Sequence, residues 1–266
     1  LPPEFIVPQD GHEKQDCERE AAKRWLAQHH HRYAPCSVTY LGDDLYDNEP
    51  LCRSIVEESQ QFFLFVCKPD SHVALYRELA LLEKVDGVTT VTERLWNGRH
   101  AEIWTYRFAH QVPLRAGADA MQVNWCELTI SHEESGDTLF HNAWATNHPI
   151  STQTVAATAE AGRTRWKVEN ESINVLKNQG YNLQHNFGHG EQHLSTVLFS
   201  LNLLAFLIHT AQHLTNDAYR LLRETLAVRR TFFNDLKALT RYIVFDSWRA
   251  LFSFMLDGLE LSIPPP

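Results

Sequence analysis

The pattern of apolar and polar residues divides the 266-residue chain into three parts. In the first part, short apolar runs at 38–41 and 62–67 alternate with segments at 16–32, 47–60 and 71–84 whose apolar residues recur at helical spacing. The run at 62–67 is apolar without interruption, which is typical of a strand covered on both faces. The alternation predicts an α/β layer with parallel neighbouring strands.

The pattern becomes strand-like after Asp86 and helical again after Ser151. Turn residues separate four strand-like segments, which predict an antiparallel sheet: 88–94, 101–108, 122–131 and 139–145. Asn97-Gly98 between two of them predicts a hairpin. A helix is expected from 151 to about 178, followed by helices whose dense apolar residues predict a bundle: 193–214, 217–226, 231–245 and 247–259.

The net charge constrains the class of partner. The formal charge of −9 and the isoelectric point of about 5.9 count against nonspecific nucleic-acid binding, which usually goes with a basic balance. They leave room for a local basic stripe that binds phosphates while the rest of the surface is acidic.

Cysteine usage and the longest apolar stretch bear on the compartment. The five cysteines are scattered and form no Cys-x-x-Cys pair, which favours a reducing compartment and argues against a disulfide framework or a cysteine zinc site. The stretch 197–208 is interrupted by Ser200 and Asn202, so it is expected to be a buried helix and not a membrane span.

Two segments carry candidate chemistry. The segment 163–177 has few helix breakers, and Arg165 and Glu169 are four residues apart, so a helix would place both on one face. Taken alone, this spacing also fits a solvated salt-bridge ladder. The strand-like run 38–46 contains Asp43 and Asp44. A carboxylate at a strand end and another on a later helix can meet at one divalent metal.

Both segments resemble the DDE transposases of bacterial insertion sequences, in the group whose third acid lies in a Tyr-Arg-Glu-Lys signature. Arg165-Trp-Lys-Val-Glu169 is similar to the group's Arg-Trp-x-Ile-Glu core, and Leu41-Gly-Asp-Asp-Leu-Tyr46 is similar to its apolar-small-Asp-x-x-Tyr pattern. The resemblance covers most of the chain. The chain departs from the signature at two positions. Gly162 stands where the signature has Tyr, and Leu176 stands where the signature has Lys, with the basic residue one position later at Lys177.

The resemblance implies a fold and an organisation. The expected fold is α/β, with an RNase H-like core, an inserted antiparallel β region and a C-terminal helical bundle. The expected segments are a partial core at 1–85, the β-rich insertion at 86–148, the Glu-bearing helix and His-rich loop at 149–190 and the bundle at 191–263.

The resemblance also implies an activity, in which two metal ions support DNA strand cleavage and strand transfer at insertion-sequence ends. Asp43 and Glu169 would be catalytic and would bind Mg2+ or Mn2+, with Asp44 as the alternative to Asp43. Arg165, Lys177 and Tyr46 would contact DNA or support the acids. The expected partners are transposon-end DNA and a second copy in a synaptic complex, with no membrane partner, in the bacterial cytoplasm at the nucleoid.

The first Asp of the triad has no obvious place, because about 15 residues precede the first helix, too few for three strands at about 3.3 Å per residue. The chain is therefore expected to be an N-terminally truncated fragment that is inactive alone. A second hypothesis is a non-catalytic remnant that binds DNA or dimerises. A third is a zinc site on His185, His189 and His193, although Gly188 and Gly190 interrupt a helix there.

Overall fold

The structure is a computed structural model that describes residues 2–6, 16–185, 188 and 190–262. The chain forms two units, Leu1–Arg165 and Trp166–Pro266. The first combines helices with a six-stranded mixed sheet, and the described part of the second is helical. The expected mixed α/β class and helical C-terminal region are confirmed, whereas the division at 85, 148 and 190 stays a prediction.

Short connections join the elements of the first unit. Its helices are α1 (Glu18–Tyr33), α2 (Glu49–Arg53), α3 (Val73–Leu82) and α4 (Val155–Arg163). Its strands are β1 (Thr39–Gly42), β2 (Phe62–Val66), β3 (Thr89–Trp96), β4 (Ala101–Pro113), β5 (Gln122–His132) and β6 (Thr138–Thr146). A π-helical turn, Ser54–Glu58, extends α2, and a 3-10 turn, Glu83–Val85, follows α3.

The sheet has the strand order β1-β2-β6-β5-β4-β3. β1 and β2 are parallel, as expected for strands joined through a helix, and β2 pairs antiparallel with β6. β3 to β6 form an antiparallel meander, which confirms the predicted β-rich region. Asn97-Gly98 lies in the hairpin between β3 and β4, and Gly98 has a φ of +96°, which favours glycine.

β2 is buried on both faces, as its uninterrupted apolar sequence predicts. Successive side chains of a strand point to opposite faces, so Phe63 and Phe65 lie on one side and Leu64 and Val66 on the other. The first pair packs with residues of α2, its π-helical turn and α3: Leu51, Ile55, Leu75 and Leu79. The second pair packs with residues of β6 and α4: Trp144, Val155 and Ala159. The sheet is therefore covered by helices on both sides along β2.

The second unit consists of short and long helices. It begins with a π-helical turn, Val168–Ile173, and continues with α5 (Asn174–Asn178), α6 (Leu194–Thr215), α7 (Asp217–Thr225), α8 (Arg229–Tyr242) and α9 (Trp248–Gly258). The last three helices share a core whose buried residues include Tyr219, Leu222, Phe232, Leu251 and Met255. A smaller cluster around Val175, Leu176 and Tyr181 packs against Leu203 and Phe206 of α6.

The expected burial of α6 is wrong. The helix is described along its whole length, and none of its residues is buried. Large exposed side chains lie along it: Val197, Leu201, Leu204, Leu207, Ile208 and Leu214. The residues of α6 are apolar on most sides, whereas the second unit covers mainly the side around Leu203 and Phe206. By length and composition alone, α6 is also apolar enough to cross a membrane.

Gly162 explains one departure from the resembled signature. This buried residue lies against Trp144, and a Cβ atom at position 162 would stand 2.5 Å from Cε2 and Nε1 of the indole. The space that the signature Tyr would need is therefore occupied by Trp144, and the close packing of α4 on the sheet requires glycine at this position.

We expect Gly162→Ala to lower the free energy of unfolding by about 1–3 kcal/mol, because overpacking displaces a buried ring. Urea unfolding followed by circular dichroism measures the change. Gly258→Ala is the control, since no described heavy atom lies within 4 Å of the added Cβ. It should leave stability unchanged or raise it by up to about 1 kcal/mol through helix propensity. Equal stabilities of wild type and Gly162→Ala would contradict the packing.

Candidate functional site at the carboxyl end of the parallel strands

The parallel strands β1 and β2 end at the same edge of the sheet. Asp43 directly follows β1, and Cys67 directly follows β2, with Gly42 in register with Phe65. In open α/β sheets, ligands bind outside the carboxyl ends of parallel strands. This edge is therefore the expected position of a binding site in the first unit.

Asp43 is an exposed carboxylate in a tight turn. Its Oδ1 accepts a hydrogen bond from the backbone N–H of Leu45 at 3.0 Å, and its carbonyl accepts one from Tyr46 N–H at 3.1 Å. The first bond is an Asx-turn, which fixes the backbone where β1 ends. The carboxylate remains open to solvent, as a metal ligand shared with a substrate requires.

Asp44 has a different role from its neighbour. Its Oδ1 accepts hydrogen bonds from the backbone N–H of Lys68 at 2.8 Å and from the Ser71 hydroxyl at 2.7 Å. These bonds tie the turn after β1 to the segment after β2. The carboxylate is thus engaged within the protein, which favours Asp43 over Asp44 as the ligand of a bound metal.

Gly42 and Tyr46 pack beneath this turn. A Cβ atom on Gly42 would stand 2.8 Å from Cδ1 of Phe65 and 3.0 Å from Cβ of Tyr46. The half-buried ring of Tyr46 lies 6.4 Å from the ring of Phe65. Burial raises the pKa of Tyr46, and the charges of Glu18 and Asp43 act in the same direction. Tyr46 therefore supports the turn through packing.

A buried polar cluster lies directly below the exposed turn. A carboxylate oxygen of Asp47, the Sγ of Cys67 and a ring nitrogen of His72 all lie within 4.8 Å of one another. Nε2 of His72 is 3.2 Å from Oδ2 of Asp47, and the two residues are 8% and 3% exposed. The thiol of Cys52, in α2, donates to Oδ1 of Asp47 at 3.8 Å. Four segments of the first unit meet at this cluster.

Burial disfavours the charged forms of the three groups in this cluster. It raises the pKa of Asp47 to about 8, against the opposing effect of the hydrogen bond from the Cys67 thiol. Burial also lowers the pKa of His72 and raises that of the Cys67 thiol. At neutral pH these shifts favour a neutral carboxyl, imidazole and thiol, so the contact between Asp47 and His72 is not an ion pair.

Glu169 lies on the π-helical turn of the second unit and is exposed. The single helix expected over 163–177 is wrong, because α4 ends at Arg163 and a turn at Thr164–Arg165 precedes the next helical segment. In a π turn the hydrogen bonds join residues five apart, so the α-helical argument for one face no longer holds for Arg165 and Glu169. Single π turns within helices are frequent at functional sites.

The side chains around Glu169 expose both charge and aromatic surface. Trp166, which is expected in the core by its size and hydrophobicity, is 49% exposed. Lys167 and Lys177 are exposed, whereas Leu176, at the signature Lys position, is buried. A lysine at 176 would have to bury its charge, which gives a physical reason for the cation to stand at 177. Arg165 is partly buried and has interactions of its own.

Two members of the three-histidine hypothesis can be placed. His185 is exposed and its backbone N–H donates to the carbonyl of Asn182 at 2.9 Å, and His193 is exposed at the start of α6. His189 lies outside the described residues. A zinc site on these histidines stays a prediction. Asp43 and Glu169 belong to different units, so the structure describes each environment separately.

Comparison with protein-family models finds no match to this chain, and comparison with curated proteins finds no similar sequence. The functional argument therefore depends on the residues and on their geometry.

Sequence reasoning missed the cluster of Asp47, Cys67 and His72. The chain has no Cys-x-x-Cys pair to mark a site, because this cluster joins a carboxylate, a thiol and an imidazole from separate segments. One signal was available: Cys67 at the end of a buried strand is followed five residues later by His72. That spacing allows both side chains to return to one edge of the sheet, but the third member, Asp47, follows only from the fold.

We expect the two adjacent aspartates to differ in their effect on stability. Asp44→Ala removes the acceptor of the Lys68 and Ser71 hydrogen bonds and should cost about 1–3 kcal/mol of unfolding free energy. Asp43→Ala removes one exposed turn bond and should cost less than about 1 kcal/mol. Denaturant unfolding of the two variants side by side measures the difference. The assignment of roles fails if Asp43→Ala is the more destabilised protein.

Proposed function

We propose that this chain belongs to a DDE-type DNA transposase, in which Asp43 and Glu169 bind Mg2+ or Mn2+ for strand cleavage and strand transfer at insertion-sequence ends. The observation that carries the proposal is the position of Asp43, an exposed carboxylate at the carboxyl end of a parallel strand pair. An RNase H-like assignment of the core is part of the proposal. It is supported by the helix-covered sheet and by the antiparallel strands between Asp43 and Glu169.

Carboxylates suit this chemistry because Mg2+ prefers hard oxygen ligands and keeps several waters for its substrate. Two bound ions would activate the attacking oxygen and stabilise the leaving oxygen during in-line phosphoryl transfer. The backbone that carries Asp43 is held in place by the hydrogen bond from Leu45 N–H and by the packing of Tyr46 and Gly42, which suits a metal ligand. Glu169 supplies an exposed carboxylate on a π-helical turn.

DNA binding by an acidic protein needs a local basic surface. The segment 163–177 carries four basic and two acidic residues within a chain of net charge −9. Lys167 and Lys177 are exposed and can contact phosphates, and Arg165 would contact DNA or support Glu169. The exposed ring of Trp166 beside Lys167 adds a surface on which a base can stack.

A DDE centre also uses a third carboxylate. In the described residues ahead of β1, namely 2–6 and 16–38, the structure has the helix α1 and no strand, so no carboxylate there stands at a strand end. Asp16 is engaged with Arg24. The function is therefore tested best through DNA and metal binding and not through strand transfer.

The second candidate is a protein that binds DNA or dimerises without catalysis. The exposed apolar side chains of α6 favour it, because an uncovered helix surface of this kind is a site for association. For the transposase we propose a homodimer that acts on transposon-end DNA in the bacterial cytoplasm, at the nucleoid.

We expect the protein to bind duplexes from the two sides of its gene more tightly in Mg2+ than in a chelator, by about tenfold, which is about 1.4 kcal/mol. Fluorescence anisotropy at fixed salt measures the affinities, with an unrelated duplex of equal length as the specificity control. Asp43→Asn and Glu169→Gln should each abolish the Mg2+ effect, because both remove a metal ligand.

Glu171→Gln is the matched control, since Glu171 is also exposed on the π-helical turn of Glu169. It should keep the Mg2+ effect. Specific DNA binding that Mg2+ does not change would support the non-catalytic candidate. No preference for the flanking duplexes by folded protein would overturn the transposase and the DNA-binding form of the second candidate.

A further inference from the structure

The proposed function leaves one group of buried polar side chains without a use. Asp47, Cys67 and His72 lie below the turn that carries Asp43, and each is more than nine-tenths buried. Among the described residues, neither Oδ2 of Asp47 nor Nε2 of His72 has a hydrogen-bond partner, although the two atoms face each other at 3.2 Å. Unsatisfied buried polar atoms are costly and call for a ligand or a shared proton.

The spacing of the three groups fits one small cation. Tetrahedral zinc binds sulfur at about 2.3 Å and nitrogen or oxygen at about 2.0–2.2 Å, which places ligand atoms about 3.3–3.8 Å apart. In the structure the three ligand atoms are within 4.8 Å of one another, and the His72–Asp47 pair is 3.2 Å apart. The upper bound of 4.8 Å exceeds the widest tetrahedral spacing by about 1 Å.

Nε2 of His72 is directed at the carboxylates of the cluster. It has no hydrogen-bond partner among the described residues, and it lies 3.2 Å from Oδ2 of Asp47 and 3.7 Å from Oδ1 of Asp44. Imidazole nitrogen is a common zinc ligand, so this nitrogen is placed to coordinate an ion together with Asp47.

We propose that Asp47, Cys67 and His72 form a zinc site that holds the carboxyl ends of β1 and β2 together. Thiolate and imidazole are ligands for zinc and not for Mg2+, so this site is chemically distinct from the one proposed at Asp43. Zinc binding displaces the protons of the Asp47 carboxyl and the Cys67 thiol. The ion with one carboxylate, one thiolate and one neutral imidazole has zero net charge, as a buried position requires.

The surroundings supply an entry path. Asp47 and His72 line a surface groove with Ser71, Leu114 and Arg115, through which an ion can reach the cluster. The bound ion would join the loop before α2, the end of β2 and the start of α3. It would thereby brace the turn of Asp43 and Asp44 without taking part in chemistry at Asp43.

The test is the zinc content of full-length protein purified under reducing conditions. Inductively coupled plasma mass spectrometry should find about one zinc per chain at this site. Cys67→Ser and His72→Ala should lose most of it. Cys126→Ser is the matched control, because Cys126 is also fully buried but lies on the opposite face of the sheet. It should keep the metal.

Cobalt replacement in the wild-type protein covers the case in which a variant fails to fold. Co2+ should give a thiolate-to-metal charge-transfer absorption, and excess zinc should remove it. Folded, reduced wild type that binds neither zinc nor cobalt would overturn the inference and identify the cluster as a proton-sharing contact. Equal zinc loss in a Cys126→Ser protein that is folded by circular dichroism would overturn it as well. Neither result depends on DNA binding, so the transposase proposal stands or falls separately.

Discussion

Burial of β2 on both faces is the constraint on which the first unit depends. The strand lies between β1 and β6, and its side chains alternate between two apolar clusters, each covered by helices. A fully buried side chain of this kind contributes roughly 1.5–3 kcal/mol, so the register of β2 is strongly specified. Because β1 pairs in parallel with β2, that register also fixes where both strands end. The position of Asp43 is thus a consequence of packing far from the surface.

The aspartates that follow β1 differ in solvent exposure and in their partners. Asp43 is exposed, Asp44 links two loops through hydrogen bonds, and Asp47 is buried with Cys67 and His72. Three aspartates within five residues therefore have three different surroundings. The exposed carboxylate of Asp43 suits a hard cation that is shared with a phosphate substrate. The buried thiol of Cys67 and imidazole of His72 suit a structural zinc ion. The same β-strand ends can support both sites, because the second would stabilise the backbone that presents the first.

Much of the fold follows from the sequence, because the strongest signals are local. The uninterrupted apolar run at β2, the Asn97-Gly98 turn and the helical spacing in the C-terminal part each arise from neighbouring residues. Properties that depend on contacts between residues distant in the sequence could not be predicted from the sequence. The exposure of Trp166 and α6, the fit of Gly162 against Trp144 and the approach of Asp47 to Cys67 all depend on tertiary packing. For the same reason, composition alone gave no indication that Asp47, Cys67 and His72 lie together.

The central proposal is that Asp43 and Glu169 both bind catalytic metal. A double-mutant cycle on Mn2+ affinity, measured by electron paramagnetic resonance in the presence of DNA, tests it most directly. If both residues bind the same centre, Asp43→Asn and Glu169→Gln should each weaken tight Mn2+ binding by about tenfold or more, and the double variant should be little worse than either. Effects that simply add, or single variants that bind Mn2+ as wild type does, would contradict the account.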